Sequence, residues 1–466
     1  MVANMSIIPP YSCPFDALPN ELVMSIIERI PNENAKDICH LSLTSRRMYT
    51  LSLDHLYRSL FIRRPWPLLR TLCANPELGN RVRNLTWKHD FDDHDDTEEN
   101  QAVFLICIRI LELPEKDRLM SNATGSRRDD EFLEILLMFT PNVDTLVVAD
   151  KAFWPDDKYW FTTIANHSDR FIHLRSINIH GPLSLEAIAY IFLLPSLHDF
   201  TASDLVLLGQ NNNRPAWDQD IPIQTVLDPA SSQVQEITLK RSVVEVPTLR
   251  YFTEACRKLK SFSYEQDINN DQRGIYSPNL LTKFSELAAA FIHNRATIEH
   301  LSIRGDQQML CQGHVLQIAR LASNMSSLRS LDMGLITHDD DPIQSTPDFV
   351  AKLVHHLPPS LEEVSFEIDW QEHWGSKGWE GPTAMLRHLA EMASPKLSLK
   401  RVAVVDWPPF LGHFPPDFAK LHQCFAERNI EFVSIPAHIE GPDPLQLLDY
   451  VEPGWVFVKV ADAEYA

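Results

Sequence analysis

The sequence predicts an α/β chain in two parts: a small all-α module of three short helices, then an irregular solenoid with parallel strands on its concave face and helices on its convex face. Three observations carry this. Apolar residues recur at helical spacing from Leu18 to Leu60 with turns or caps between the runs, a six-residue strand-like phrase returns eleven times after residue 80, and helical patterns fall between the later phrases. A chain of 466 residues also exceeds what one hydrophobic core usually serves, which favours several units or an elongated array.

The first helix is expected from Leu18 to Ile30. In LPNELVMSIIERI, Leu18, Leu22, Ile26 and Ile30 stand four residues apart with Val23 and Ile27 beside them, and Pro19 sits where a first turn tolerates it. Pro31-Asn32-Glu33-Asn34 ends that helix, and Asn34 can cap a second with apolar positions Ile38 and Leu41. Thr44 or Ser45 opens a third, through Met48, Leu51, Leu56 and Leu60. So small a module buries little by itself, and its surplus apolar faces ask for a partner.

These residues resemble the F-box, with its Leu-Pro-x-Glu-Leu opening (Leu18 to Leu22), its Ile-x-x-x-Ile-Pro closure of the first helix (Ile26 to Pro31) and its Leu-Thr-Ser-Arg-Arg run into the third (Leu43 to Arg47). The resemblance implies an F-box domain at residues 15–60. It further implies that Leu18, Pro19, Leu22, Ile26, Leu41 and Leu43 face a Skp-type adaptor that links F-box proteins to a cullin scaffold. Where many F-boxes carry Trp early in the third helix, this chain has Met48, followed by Tyr49. Residues 61–80 are expected as a linker.

The repeating phrases are VRNLTW at 82, VDTLVV at 143, LRSINI at 174, LHDFTA at 197, VQEITL at 234, LKSFSY at 259, IEHLSI at 298, LRSLDM at 328, LEEVSF at 361, LKRVAV at 399 and IEFVSI at 430. Their central apolar residues, from Ile177 through Phe200, Ile237, Phe262, Leu301, Leu331, Val364 and Val402 to Val433, are spaced by roughly 23 to 39 residues. Helical patterns lie at Leu183 to Leu194, Leu280 to His293, His314 to Ala322, Phe349 to Leu357, Met385 to Met392 and Phe418 to Glu427. Strand then helix, repeated, resembles an irregular, helix-rich leucine-rich-repeat solenoid over 81–436. Residues 437–466 remain as a C-terminal tail or cap. With the N-terminal module, the whole chain resembles fungal-type F-box substrate receptors carrying leucine-rich-repeat-like domains.

In such a solenoid the residues between the apolar consensus face the concave surface, because strand side chains alternate. The candidate target-binding residues are Arg304, Glu363, Glu367 and Asp369 on the later strands, Trp370 and Trp374 in the loop DWQEHWGSKGWEGP, and Trp407 after the next strand. Aromatic anchors beside a mainly acidic strip favour a target with a basic, partly apolar segment.

Other classes are disfavoured. A formal charge of -21 repels phosphate backbones, so nucleic acid is not an expected partner. The longest apolar run, Ala102 to Leu113, is too short to span a bilayer and contains Arg109, so no membrane segment is expected. Seven scattered cysteines read as reduced thiols and point to the cytoplasm, the nucleus or both. Phosphate-cradling loops, nucleophile elbows and His-Glu-x-x-His are absent and only 14 glycines occur, so neither an enzyme nor a cofactor is expected. The acidic runs His89 to Asp96 and His338 to Asp341 read as solvated insertions.

The F-box resemblance implies, as the expected function, the substrate-recognition subunit of a Skp/cullin/F-box (SCF-type) ubiquitin ligase. The F-box would dock on the adaptor and through it reach cullin and RING subunits, and the repeats would hold an unidentified protein substrate. The alternative is a non-catalytic leucine-rich-repeat scaffold acting outside ubiquitination.

Overall fold

A computed structural model describes residues 18–30, 35–88, 98–111, 116–122, 129–149, 160–181, 185–207, 227–244, 246–266, 284–304, 312–335, 347–369, 380–393, 397–407 and 418–436. The chain divides into two units, one of Met1–Gly125, Ile135–Val143 and Val451–Ala466, the other of Ser126–Glu134 and Asp144–Tyr450.

Pro19 and Ser45 set the helical boundaries in the N-terminal module. Pro19 is extended at ψ 150°, and its carbonyl accepts from the Leu22 and Val23 amides at 3.1 and 3.2 Å, so helix α1 (Asn20–Ile27) begins after it. That is shorter than the expected Leu18 to Ile30, because residues at both ends of the apolar pattern lie in turns. Helix α2 spans Ala35–Ser42. Ser45 is extended and its hydroxyl accepts from the Met48 amide at 3.1 Å, an N-cap for α3 (Arg46–Arg58). The module's core is Val23, Ile27, Ile38 and Met48, with Leu18, Ile30, Leu41, Leu51 and Leu56 packed against it. Arg47 ties α3 to the start of α1, donating from Nε to Asn20 Oδ1 at 2.9 Å and from Nη2 to the Leu18 carbonyl.

Residues 61–80 are not a bare linker. Helix α3 stops at Arg58 short of the expected Leu60, because Ser59 turns extended and Ser59–Ile62 forms strand β1. Helix α4 (Trp66–Ala74) and a 3-10 turn at Pro76–Arg81 follow. Strand β2 (Asn84–Lys88) then pairs in parallel with β1, Ser59 against Asn84 through Ile62 against Trp87. Arg81 forms an ion pair with Asp54 of α3, and the Arg83 amide donates to the Arg58 carbonyl at 2.8 Å. Helices α5 (Glu98–Leu111), α6 (Lys116–Asn122) and α7 (Asp129–Phe139) come next, and the division between the units falls within α7. The apolar run at Ala102 to Leu113 thus lies largely in α5.

The second unit carries β3 (Thr145–Ala149), β4 (Ser176–His180), β5 (Asp199–Ser203), β6 (Val206–Leu207), β7 (Glu236–Lys240), β8 (Val243–Val244), β9 (Ser261–Glu265), β10 (His300–Arg304), β11 (Ser330–Leu335), β12 (Glu363–Asp369), β13 (Arg401–Trp407) and β14 (Glu431–Pro436). From β3 to β14 they form a parallel sheet in chain order, apart from β6 and β8, which pair with each other. Between strands run α8 (Trp160–Asn166), α9 (Leu185–Phe192), α10 (Val246–Ala255), α11 (Phe284–Ala290), α12 (Gln312–Ala322), α13 (Pro347–His356), α14 (Glu380–Ala393) and α15 (Phe418–Ala426), each packed on the next from α10 to α15.

All eleven phrases fall on strands. Ile177, Phe200, Ile237, Phe262, Leu301, Leu331, Val364 and Val402 form one interior row, none more than 2% exposed. The last phrase slips by one residue: Val402 pairs with Phe432, and Val433 with Ala403. The reason is length, since Ile430 stands two residues before Phe432 while Leu399 stands three before Val402.

Two hydrogen-bond devices, one backbone and one from side-chain hydroxyls, lock the register. The carbonyl of the second phrase residue accepts two amides from the next repeat: Lys260 from Glu299 and His300 at 2.8 and 3.0 Å, and Arg329 from Glu362 and Glu363, both at 2.8 Å. A hydroxyl residue just before the phrase donates to the preceding repeat, as Ser196 to Leu174 (2.9 Å), Thr297 to Leu259 (2.8 Å) and Ser360 to Leu328 (2.8 Å).

Candidate functional site

Two surfaces bear the side chains singled out by the sequence. On α1, Val23 and Ile27 enter the core, which leaves the neighbouring face of the helix outside. Leu22 is 51% exposed and Ile26 40%, one turn apart, with Pro19 exposed on the same side; Leu43, just after α2, is 74% exposed. Of the six expected adaptor residues, these four are outward, and Leu18 and Leu41 are half-buried against the core. Met24 and Tyr49, also exposed, were not among the candidates. So much uncovered apolar surface on three short helices is what a docking face would present. Met48 is inside at 4% exposure, so the departure from Trp at this position changes the module's own packing.

The strand face of the later repeats is polar and internally bonded. Asp332 of β11 is its hub: Arg304 of β10 donates to Oδ2 from Nε at 2.9 Å and from Nη2 at 2.7 Å, Ser302 donates to the same oxygen at 2.9 Å, and Ser365 of β12 donates to Oδ1 at 2.9 Å. Glu363 accepts from Arg401 at 3.1 Å, and Arg401 approaches Glu431 at 3.8 Å. Beside the strands, Lys400 donates to Glu362 at 2.9 Å, and its ammonium holds the Glu362 carboxyl below the usual carboxylate range. The mainly acidic strip expected here is therefore charge-compensated where its side chains are described.

Among the remaining candidates, Glu367 and Asp369 lie on β12 and Trp407 ends β13, with register pairing Asp369 to Trp407 and Glu367 to Val405. Trp370, Trp374 and the acidic runs 89–96 and 338–341 lie outside the described residues. Among the described residues, no group of three or more His, Cys, Asp or Glu side chains could hold a metal ion, and no helix is long and apolar enough to cross a membrane. Spacing alone had not shown Asp332 as the centre of this network. The signal for it was the aligned phrase, which puts Ser302, Asp332 and Ser365 on one cross-strand row.

Comparison with known families assigns the N-terminal module: residues 15–63 match the F-box-like family. The chain thus carries an F-box-like domain, whose matched span runs through α1 to α3 and β1. The match covers a small part of the chain and does not extend to the repeats. A search of curated protein sequences gives no match.

Proposed function

We propose that this chain is the substrate-recognition subunit of an SCF-type ubiquitin ligase. The observation that carries the reading is the coincidence of the F-box-like match at 15–63 with a module that leaves Pro19, Leu22, Ile26 and Leu43 outside its own core. F-box domains typically bind Skp-type adaptors, and an apolar face of this kind is suited to such docking. Through the adaptor the chain would join cullin and RING subunits in the cytosol or nucleus. The strand and helix repeats, read as an irregular leucine-rich-repeat domain, would hold the target protein, with Arg304, Glu363, Glu367, Asp369, Trp370, Trp374 and Trp407 as the candidate contact set. In this reading the chain is not an enzyme and takes no cofactor. Its contribution is to place the target near a RING-bound ubiquitin-conjugating enzyme, which is catalysis by proximity and orientation.

Affinity purification of the full chain from proteasome-inhibited cells tests this. The expected result is recovery of adaptor, cullin and RING subunits with a target set, and loss of the target set alone when Trp370 and Trp374 are replaced by Ala. Recovery of adaptor without cullin would instead indicate a scaffold outside ubiquitination, and absence of the adaptor would overturn the proposal.

A further inference from the structure

Helices α10, α11 and α12 pack side by side in the second unit and leave a groove of about 720 Å³ between them. Val246, Phe291, Leu321 and Met325 form its floor and are all buried, so its base is apolar and firmly packed. Ala288, Ala289 and Ile292 stand along the rim. The two alanines keep the groove wide, since neither side chain extends beyond Cβ, and Ile292 is 54% exposed. Two guanidinium groups border this apolar surface. Arg250 on α10 is held by Glu254 at 2.6 Å, which His293 also approaches at 3.1 Å. Arg295, exposed in the turn after α11, pairs with no acid among the described residues. Along α10 to α12 and the turns that end them, the described charged side chains are Arg250, Arg257, Lys258, Arg295 and Arg320 against one carboxylate, Glu254. In a chain of formal charge -21 this basic surround reverses the average, and it sets the sign of what the groove attracts.

We propose that this groove docks an acidic peptide segment of a partner protein, its aliphatic side chains on the apolar floor and its carboxylates on Arg295 and Arg250. Charge selects carboxylates, and the floor selects apolar neighbours for them. Arg295 gives up no ion pair of its own chain when a carboxylate arrives, whereas on the strand face Arg304 and Arg401 are already engaged by Asp332 and Glu363. Arg250 would share its guanidinium between Glu254 and the ligand. Openness selects a peptide: with Ala288 and Ile292 exposed at the rim, an occupant stays partly in solvent, as a segment laid in a groove does, while small-molecule sites enclose most of their ligand. Single-stranded nucleic acid is disfavoured, because the one aromatic side chain in the lining, Phe291, is 1% exposed and offers no stacking platform. Met325 in the floor adapts to aliphatic groups of different shape. The groove uses neither the F-box module nor the strand residues of the candidate target face, so the proposal is independent of the ligase reading.

The test uses the full chain and the fluorescence anisotropy of a fluorescein-labelled peptide built of Glu-Glu-Leu-Leu repeats. A second peptide with Ser for every Leu, and a third with Lys for every Glu, serve as comparisons. Wild type should bind the Glu-Leu peptide about tenfold more tightly than the Glu-Ser one, because only the former buries aliphatic groups on the floor. Arg295→Glu should weaken that binding about fivefold, with the gap narrowing as salt rises. Ala288→Trp, which fills the groove from an exposed position, should abolish it. Any binding of the Lys peptide to the acidic remainder of the chain should be unchanged by either substitution. Thermal melts matching wild type establish that the variants fold; if Ala288→Trp lowers the melt, Ile292→Ser, also at an exposed side chain, takes its place. Failure of the Glu-Leu peptide to bind wild type, or binding that either folded variant leaves unchanged, would overturn the proposal.

Discussion

Replacing Leu22, Ile26 and Leu43 together by Ala should strongly weaken adaptor binding and leave the fold intact, because in the free chain these side chains support little of its own core. Full burial of a Leu or Ile side chain contributes about 1.5–3 kcal/mol. With 51%, 40% and 74% of the three still exposed, docking that covered them completely would gain about 2.5–5 kcal/mol. Truncation to Ala keeps one methyl each, so the loss should be about 2–4 kcal/mol, or about 30- to 1000-fold in Kd. The control lies one residue along the helix: Ile27 is 1% exposed, and Ile27→Ala should cost about 2–5 kcal/mol of folding stability. Titration calorimetry with purified Skp-type adaptor, beside thermal melts of both variants, separates the two effects. If the triple variant melts as wild type and binds adaptor with wild-type affinity, those residues are not the docking face.

Two further outcomes concern the scaffold. Leu331, at 0% exposure between Leu301 and Val364, is bounded by neighbouring repeats, so Leu331→Asp buries a carboxylate and should destabilise several repeats together by about 4 kcal/mol or more; limited proteolysis should show cleavage spreading to both sides. A Cβ on Gly79 would run into the Phe139 backbone carbonyl, which cannot swing away as a side chain could, so Gly79→Ala should cost about 1–3 kcal/mol and lower the melting temperature.

What the sequence made legible follows from which forces are local. The phrases were visible because each interior residue must be apolar whatever its neighbours are, so Leu301, Leu331 and Val364 announce themselves one repeat at a time. Strand β1 was hidden because four residues, SLFI, follow a helix directly and the residue that leads into them, the buried Tyr57, still belongs to that helix. Ser196, Thr297 and Ser360 were legible in principle, as a hydroxyl residue before the phrase, but their role appears only once the carbonyl of the preceding repeat is placed. Arg304 and Asp332 could not be paired by spacing at all. They are 28 residues apart and diagonal across β10 and β11, a contact that exists only when Ser302 is registered against Asp332.

That diagonal pairing changes what the strand face can recognise. An unpaired acidic strip would attract a basic segment at long range and speed its association. Asp332 instead accepts four hydrogen bonds from three residues of its own chain, and Glu363 is engaged by Arg401. A basic segment seeking those carboxylates would have to displace Arg304 or Arg401, losing charge-assisted hydrogen bonds already in place, those of Arg304 to Asp332 Oδ2 at 2.7–2.9 Å. Charge reversal at Glu363 would likewise act first on Arg401 and only second on any target. What remains is a surface whose side chains are held in fixed positions before binding, which lowers the conformational entropy lost on association. Selectivity at such a surface rests on shape and on aromatic contact more than on net charge. Under the proposed function, the weight of target recognition accordingly moves from Glu363 toward the tryptophans that follow β12 and close β13.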